Sequence, residues 1–310
     1  MIAVYILLVL MIIIWSISFV VVDVAVEFTT PTALALYRFA LASLSFLMID
    51  IVIKLKKRKK FNEKNNTREK IKLTKFMWLL ILIASFSGAS IFFFAQYTAI
   101  QLIGPSLPAL FVCLLAPIFI AVLSIFIFDE KLNKVKITGF IIASFGGFLL
   151  ITGGDIRVLT PKSPLFIGFL LAALTPLLWA IFSITMKKLS KKEKLSELQI
   201  LKYVSYLGTA ELLIFVILLN EFDIFIDTIS NLYVFLSAVY LGLGCYILGY
   251  YIWQNSQNKL KSSKVASFLY IEPFLTLFFS FLFQRAEVIV LWNILGGIIV
   301  LVAVLIINYK

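Results

Sequence analysis

Residues 270–296 read YIEPFLTLFFSFLFQRAEVIVLWNILG, and residues 114–139 read LLAPIFIAVLSIFIFDEKLNKVKITG. Each has a proline, a long apolar stretch, an acid, and a glycine nine positions after the acid. In the later copy Glu272 adjoins Pro273, and nothing else between positions 267 and 281 is charged. In lipid such a carboxylate is expensive and the proline forfeits a helical hydrogen bond. The pair is tolerable if Glu272 faces a central wet cavity that Pro273 helps to open.

The similarity extends outward from these stretches. Trp15 and Trp179 lie 164 residues apart, as do Arg38 and Lys202. Gly88 and Gly244 are separated by 156, as are Ser106 and Ser262, Pro117 and Pro273, and Ser124 and Ser280. Glu130 and Glu287 are separated by 157, as are Gly139 and Gly296. The step in spacing is absorbed where the long segment 54–75 faces the shorter segment 220–230.

Composition sets the environment. The 310 residues are 62% hydrophobic and 14% charged, with a mean hydropathy of +1.05. A soluble surface of this size could not be covered with so few charges. Ten stretches qualify as spanning helices, which need about 20 apolar residues: about 2–22, 31–53, 76–99, 105–127, 135–152, 165–186, 198–219, 231–253, 263–283 and 288–308. The first has no basic leader or small-residue cleavage site, and is read as a retained spanning helix and not a signal peptide. Segment 54–75 carries eleven Lys/Arg, 129–136 three, 187–197 five and 254–264 three, whereas 23–30, 100–104 and 220–230 carry none. The alternation places both termini in the cytoplasm of a multi-pass cell-membrane protein. It also accounts for the net charge of +12 without nucleic acid.

The expectation is an all-α polytopic membrane protein, with ten transmembrane helices as two inverted five-helix repeats, residues 1–152 and 153–310. Five is odd, so the second unit enters the bilayer upside down. Inverted repeats are common in secondary transporters, with substrate near the midplane between the units.

Each half resembles an EamA unit of the drug/metabolite transporter superfamily. The resemblance rests on an early aromatic in the first helix of each unit, in IWSISF and LWAIFS. A basic residue follows early in the second helix, in LYRFALA and LKYVSY. The proline–acid–glycine pattern quoted above completes it. It covers about 2–152 and 165–308, and implies a ten-helix metabolite carrier working by alternating access.

Individual residues carry the remaining expectations. Glu272 and Glu211 lie near the middle of their helices, where an ionisable group faces the bundle interior, as part of a pathway or in a structural pair. Arg38 lies deep in the second helix and either clamps an anionic substrate group or pairs with a buried acid, while Lys202 lies close enough to the interface to snorkel. Trp15, Tyr37, Tyr97, Trp179, Tyr246, Tyr250, Trp253 and Tyr270 are candidate aromatic walls, and Gln96 a neutral hydrogen-bonding point. Pro117, Pro176 and Pro273 are read as helix breaks, either structural bends or kinks beside a polar cavity. Glu130 and Glu287 precede helix starts and are read as caps, with a surface gate as the alternative. Cys113 and Cys245 read as small buried hydrophobes. Small-residue faces at Gly139, Ala143 and Gly147, and at Cys245 and Gly249, serve packing within the bundle or a homodimer.

No histidine is present, so no metal ligand set of imidazoles or histidine triad exists, and neither a cofactor nor a catalytic residue is expected. The reading is secondary transport of a small organic metabolite, an amino acid or similar amphipathic solute, with proton coupling through Glu272 as a further expectation. The alternatives are a lipid flippase or nucleotide-sugar carrier, and then a channel.

Overall fold

The computed structural model describes residues 2–59, 73–128, 134–155, 157, 160, 163, 165–191, 195–285 and 290–308. These residues form a helical bundle, consistent with a solvent in which every backbone polar group must be satisfied within the chain. Among the described residues, eight helices are long and apolar enough to cross a membrane: α1 (Ile2–Ala25), α2 (Pro31–Lys59), α3 (Lys75–Ile103), α4 (Ser106–Phe128), α6 (Phe166–Lys191), α7 (Glu197–Leu218), α8 (Leu232–Lys259) and α9 (Ser262–Leu282). The other two expected spans are also helical, as α5 (Lys134–Thr152) and α10 (Leu291–Asn308), but their apolar parts among the described residues are only Ile137–Leu149 and Ile294–Ala303. Residues Glu130 and Glu287, expected to cap helices, lie outside the described residues.

Local chemistry fixes the ends. Thr74 accepts from the Met77 N–H at the start of α3, Ser196 accepts from Gln199 at α7, and Asn231 accepts from two amides at α8. These caps satisfy donors that a helix start leaves open. Gly104, at φ 79°, ends α3 just before Pro105, where glycine tolerates the left-handed backbone.

The prolines behave differently from one another. Pro176 deprives the Ala172 carbonyl of its helical donor, and the Thr175 hydroxyl donates to that carbonyl at 2.7 Å instead. Thr175→Val should therefore cost about 0.5–1.5 kcal/mol in a detergent melt. Pro273 does not interrupt a continuous α-helix. Residues Ser267–Ile271 tighten into a 3₁₀ turn, and the Glu272 N–H bonds the Leu269 carbonyl that the proline would have orphaned. Pro273 then stands in the first turn of the α-helical segment Glu272–Leu282, where its missing N–H costs little. Pro117 stays inside an unbroken α4.

Among the described residues, two helices contain π segments, Phe86–Ser90 in α3 and Tyr240–Tyr250 in α8. A π segment removes carbonyls from the regular ladder and offers them to side chains. The Trp15 indole N–H donates to the Cys245 carbonyl in one segment at 3.1 Å, and the Tyr250 hydroxyl donates to the Gly88 carbonyl in the other at 3.3 Å.

Packing brings α1 against α8 and α9, α6 against α3 and α4, α2 against α7 and α8, and α7 against α3; the most extensive pair is α5 with α10. Small residues permit the approach. A Cβ on Gly242 would lie 2.7 Å from the Arg38 carbonyl oxygen, so α8 and α2 touch at the backbone. The small faces noted in the sequence are used inside the bundle: Gly147 abuts Leu114, Ala143 is buried, and Gly249 abuts the Trp15 indole. Large apolar side chains such as Phe126 and Phe281 point outward and cover the outer surface.

Candidate functional site

A cavity of about 40 Å³ lies between the two halves of the bundle. Trp15, Ser18 and Phe19 of α1, Arg38 of α2, Phe92, Phe93 and Gln96 of α3, and Val112 and Cys113 of α4 line it from the first half. Trp179 of α6, Cys245 and Tyr250 of α8, and Leu269 and Glu272 of α9 line it from the second. Its volume admits a few waters, at roughly 10–15 Å³ each, and is far below the roughly 300 Å³ of a ligand pocket. A larger crevice of about 360 Å³ between α4, α5 and α6 is lined by Phe111, Leu115, Phe148 and Phe169 and has no charged side chain.

Aromatic rings frame the central cavity. Trp15 and Trp179 meet edge to face, centroids 5.3 Å apart, and Tyr250 lies within 5.7 Å of both. Trp253 backs the pair and donates its indole N–H to Ser183.

The charged groups are nearly inaccessible to solvent, Arg38 and Glu272 each being 3% exposed. Arg38 donates to the Tyr97 hydroxyl at 2.8 Å and lies 3.9 Å above the Phe93 ring, a cation–π contact strengthened by burial. Glu272 accepts from the Cys113 thiol at 3.2 Å. The backbone carbonyl of Glu272 accepts from both Ser16 and Thr276, which ties α9 to α1.

The structure thus gathers Trp15, Arg38, Gln96, Trp179, Tyr250 and Glu272 around one cavity, with Tyr97 behind Arg38 and Trp253 behind the tryptophans. It places four of the other expected wall and site residues elsewhere. Tyr37 stacks on Phe225 and donates to the Phe225 carbonyl in the segment between α7 and α8. Glu211 accepts from Ser85 at 2.5 Å and Ser90 at 2.7 Å, beside the π segment of α3. Tyr246 donates to the Leu201 carbonyl, and Tyr270 packs with Leu110, Phe140 and Val300. Lys202 pairs with Asp50 at 3.0 Å. At the opposite end of the bundle, Arg285 reaches both Asp23 and Glu27 at 2.5 Å.

Sequence reasoning missed the two cysteines as cavity residues. A signal was available for Cys113: it stands one turn before Pro117 and 156 residues before Leu269, which also lines the cavity. The paired π segments were similarly marked by Gly88 and Gly244.

Two segments, residues 2–152 and 166–309, each match the model of the EamA-like transporter family. The chain belongs to the EamA-like transporter family. An uncharacterized transporter of Archaeoglobus fulgidus is 24% identical over 230 residues, covering 73% of this chain and 75% of that protein. A crystal structure 15% identical in sequence covers 99% of this chain and 96% of its own, with a TM-score of 0.66, a likeness of fold alone. This EamA-like protein is a multi-pass helical membrane transporter, and membership in the family implies a small-molecule substrate and a lipid environment.

Proposed function

We propose that this EamA-like protein is a secondary carrier of a small organic metabolite, an amino acid or similar amphipathic solute. It works by alternating access between inverted five-helix halves, residues 1–152 and 153–310. The observation that carries the reading is a central cavity of about 40 Å³, lined by both halves, that holds Arg38 and Glu272 but is too small for a solute. Substrate binding and release there require the halves to move apart.

Helix pairing supports a two-fold relation between the halves, which an odd number of spans in each half makes an inverted one. Exchanging each helix of the first half for its counterpart in the second turns the α1–α9 contact into α6–α4, α1–α8 into α6–α3, and α2–α8 into α7–α3; all of these contacts occur. The exchange leaves α2–α7, α4–α9 and α5–α10 unchanged, and these occur as well. Trp15 and Trp179, equivalent in the repeat, meet at the centre. The lysine-rich segments favour cytoplasmic termini.

Glu272 is the proposed proton-coupling group. It is buried, lines the cavity and has no basic side chain in ion-pair contact among the described residues. Reconstituted protein should show saturable counterflow of its solute. Glu272→Gln should abolish the dependence of uptake on an imposed pH gradient. Ohmic current without counterflow would replace the carrier reading with a channel, and an unchanged pH dependence would remove Glu272 from coupling.

A further inference from the structure

One end of the bundle, the outer end by the charge pattern, carries an ion-pair cluster that joins the two halves. The Arg285 Nε–H donates to Asp23 and its Nη2–H to Glu27, each at 2.5 Å. The cluster is partly shielded from solvent, the Arg285 side chain being 24% and the Asp23 side chain 13% exposed. Asp23 follows the cavity residue Phe19 by four positions, so it stands one turn further out on the same side of α1. The link therefore spans α1 and the end of α9 just outside the cavity.

Neither helix gains by itself from this placement of charge. Two carboxylates one turn apart repel each other, and the C-terminal end of a helix disfavours both. After α9 the Gln284 N–H bonds the Phe281 carbonyl and the Arg285 N–H bonds the Ser280 carbonyl, with Gln284 at φ 54°. A left-handed ending of this kind normally takes glycine. A strained glutamine thus sits in the turn that brings Arg285 to α1.

The repeat carries the same pattern at the other end with every sign exchanged. Lys187 and Lys191 follow Asp23 and Glu27 by 164 residues, the spacing that pairs the two tryptophans. Asp129 precedes Arg285 by 156, the spacing that pairs Pro117 with Pro273; it lies outside the described residues. Lys187 is 2% exposed, donates to Ser262 at the start of α9 and lies 4.5 Å above the ring of Phe128, where α4 ends. The charge rule for topology accounts for the lysines but works against an arginine on the outer side.

We propose that Asp23, Glu27 and Arg285 form the outer gate, a link that holds α1 to α9 and breaks when the cavity opens outward. The proposal rests on the carrier reading and deepens it by naming the residues that part. The bonds from Ser16 and Thr276 to the Glu272 carbonyl lie deeper between the same helices and remain as the pivot.

The cavity thiols Cys113 and Cys245 report the opening. An anionic, membrane-impermeant methanethiosulfonate, larger than the cavity, reaches them only when one end parts. It is applied to intact cells expressing the full chain, for the outer side, and to inverted vesicles of the same cells, for the cytoplasmic side. Mass spectrometry follows the modification of each thiol. Arg285→Gln should speed modification from the outer side about 10-fold and slow it from the cytoplasmic side. Asp23→Arg combined with Arg285→Asp, which exchanges the charges, should return both rates to within about threefold of wild type. The proposal is overturned if Arg285→Gln leaves the outer rate unchanged, if the charge exchange fails to restore the rates, or if Arg285→Gln speeds modification from both sides alike, as a loosened fold would. Modification from the outer side alone, faster in Arg285→Gln, removes alternating access and keeps the gate. Modification from both sides at rates that Arg285→Gln does not alter removes the gate and keeps the carrier.

Discussion

Replacing Ser85 and Ser90 together with alanine should lower the stability of the protein by about 3–5 kcal/mol. The two hydroxyls are the side-chain partners of the Glu211 carboxylate among the described residues, one on each oxygen, and Glu211 is only 8% exposed. Alanine is a better helix former than serine, so propensity alone would give the opposite sign. The loss comes from leaving a buried carboxylate without donors. Denaturation of the detergent-solubilised protein measures it, and Glu211→Met in the double variant should restore most of the stability. Wild-type stability in the double variant would mean that Glu211 does not depend on these serines.

Gly88→Ala should be nearly as damaging, at about 3 kcal/mol. A Cβ there would lie 2.1 Å from Cδ2 of Phe182, a ring that is itself 1% exposed and has nowhere to retreat. The same substitution at the repeat-related Gly244 meets only Tyr240, at 3.7 Å, an ordinary contact. Gly244→Ala should therefore change stability by less than about 1 kcal/mol. Thermal melts of the two variants side by side check the contrast, and Phe182→Leu should partly rescue Gly88→Ala. Equal effects at the two glycines would show that helix propensity, and not the approach of α3 to α6, sets the cost.

The contrast shows how far a repeat in sequence can be read. Gly88 and Gly244 occupy matching positions and both fall in π segments, yet only Gly88 is pressed by a ring from another helix. The tryptophans are similar: Trp15 and Trp179 were paired by spacing, but which indole N–H finds a carbonyl depends on the local path of α8. Arg38 and Glu272 were legible as candidates because a charge in an apolar run is rare for a physical reason. Glu211 satisfied the same rule but sits with two serines away from the cavity. Tyr37 and Tyr270 had nothing to separate them from the cavity aromatics, since an aromatic in an apolar helix packs equally well in either place.

Hydropathy and the spacing of charges determined by themselves that the chain is helical and embedded in a membrane, because lipid leaves the backbone few alternatives. The doubled proline–acid–glycine pattern also pointed to the family, since that order survives wherever the helices pack. Only the tertiary structure decided which polar side chains share the cavity. The side-chain direction of one helix relative to its neighbours depends on rotation, on π and 3₁₀ segments and on close glycine contacts, and none of these changes the hydropathy of the run that contains it.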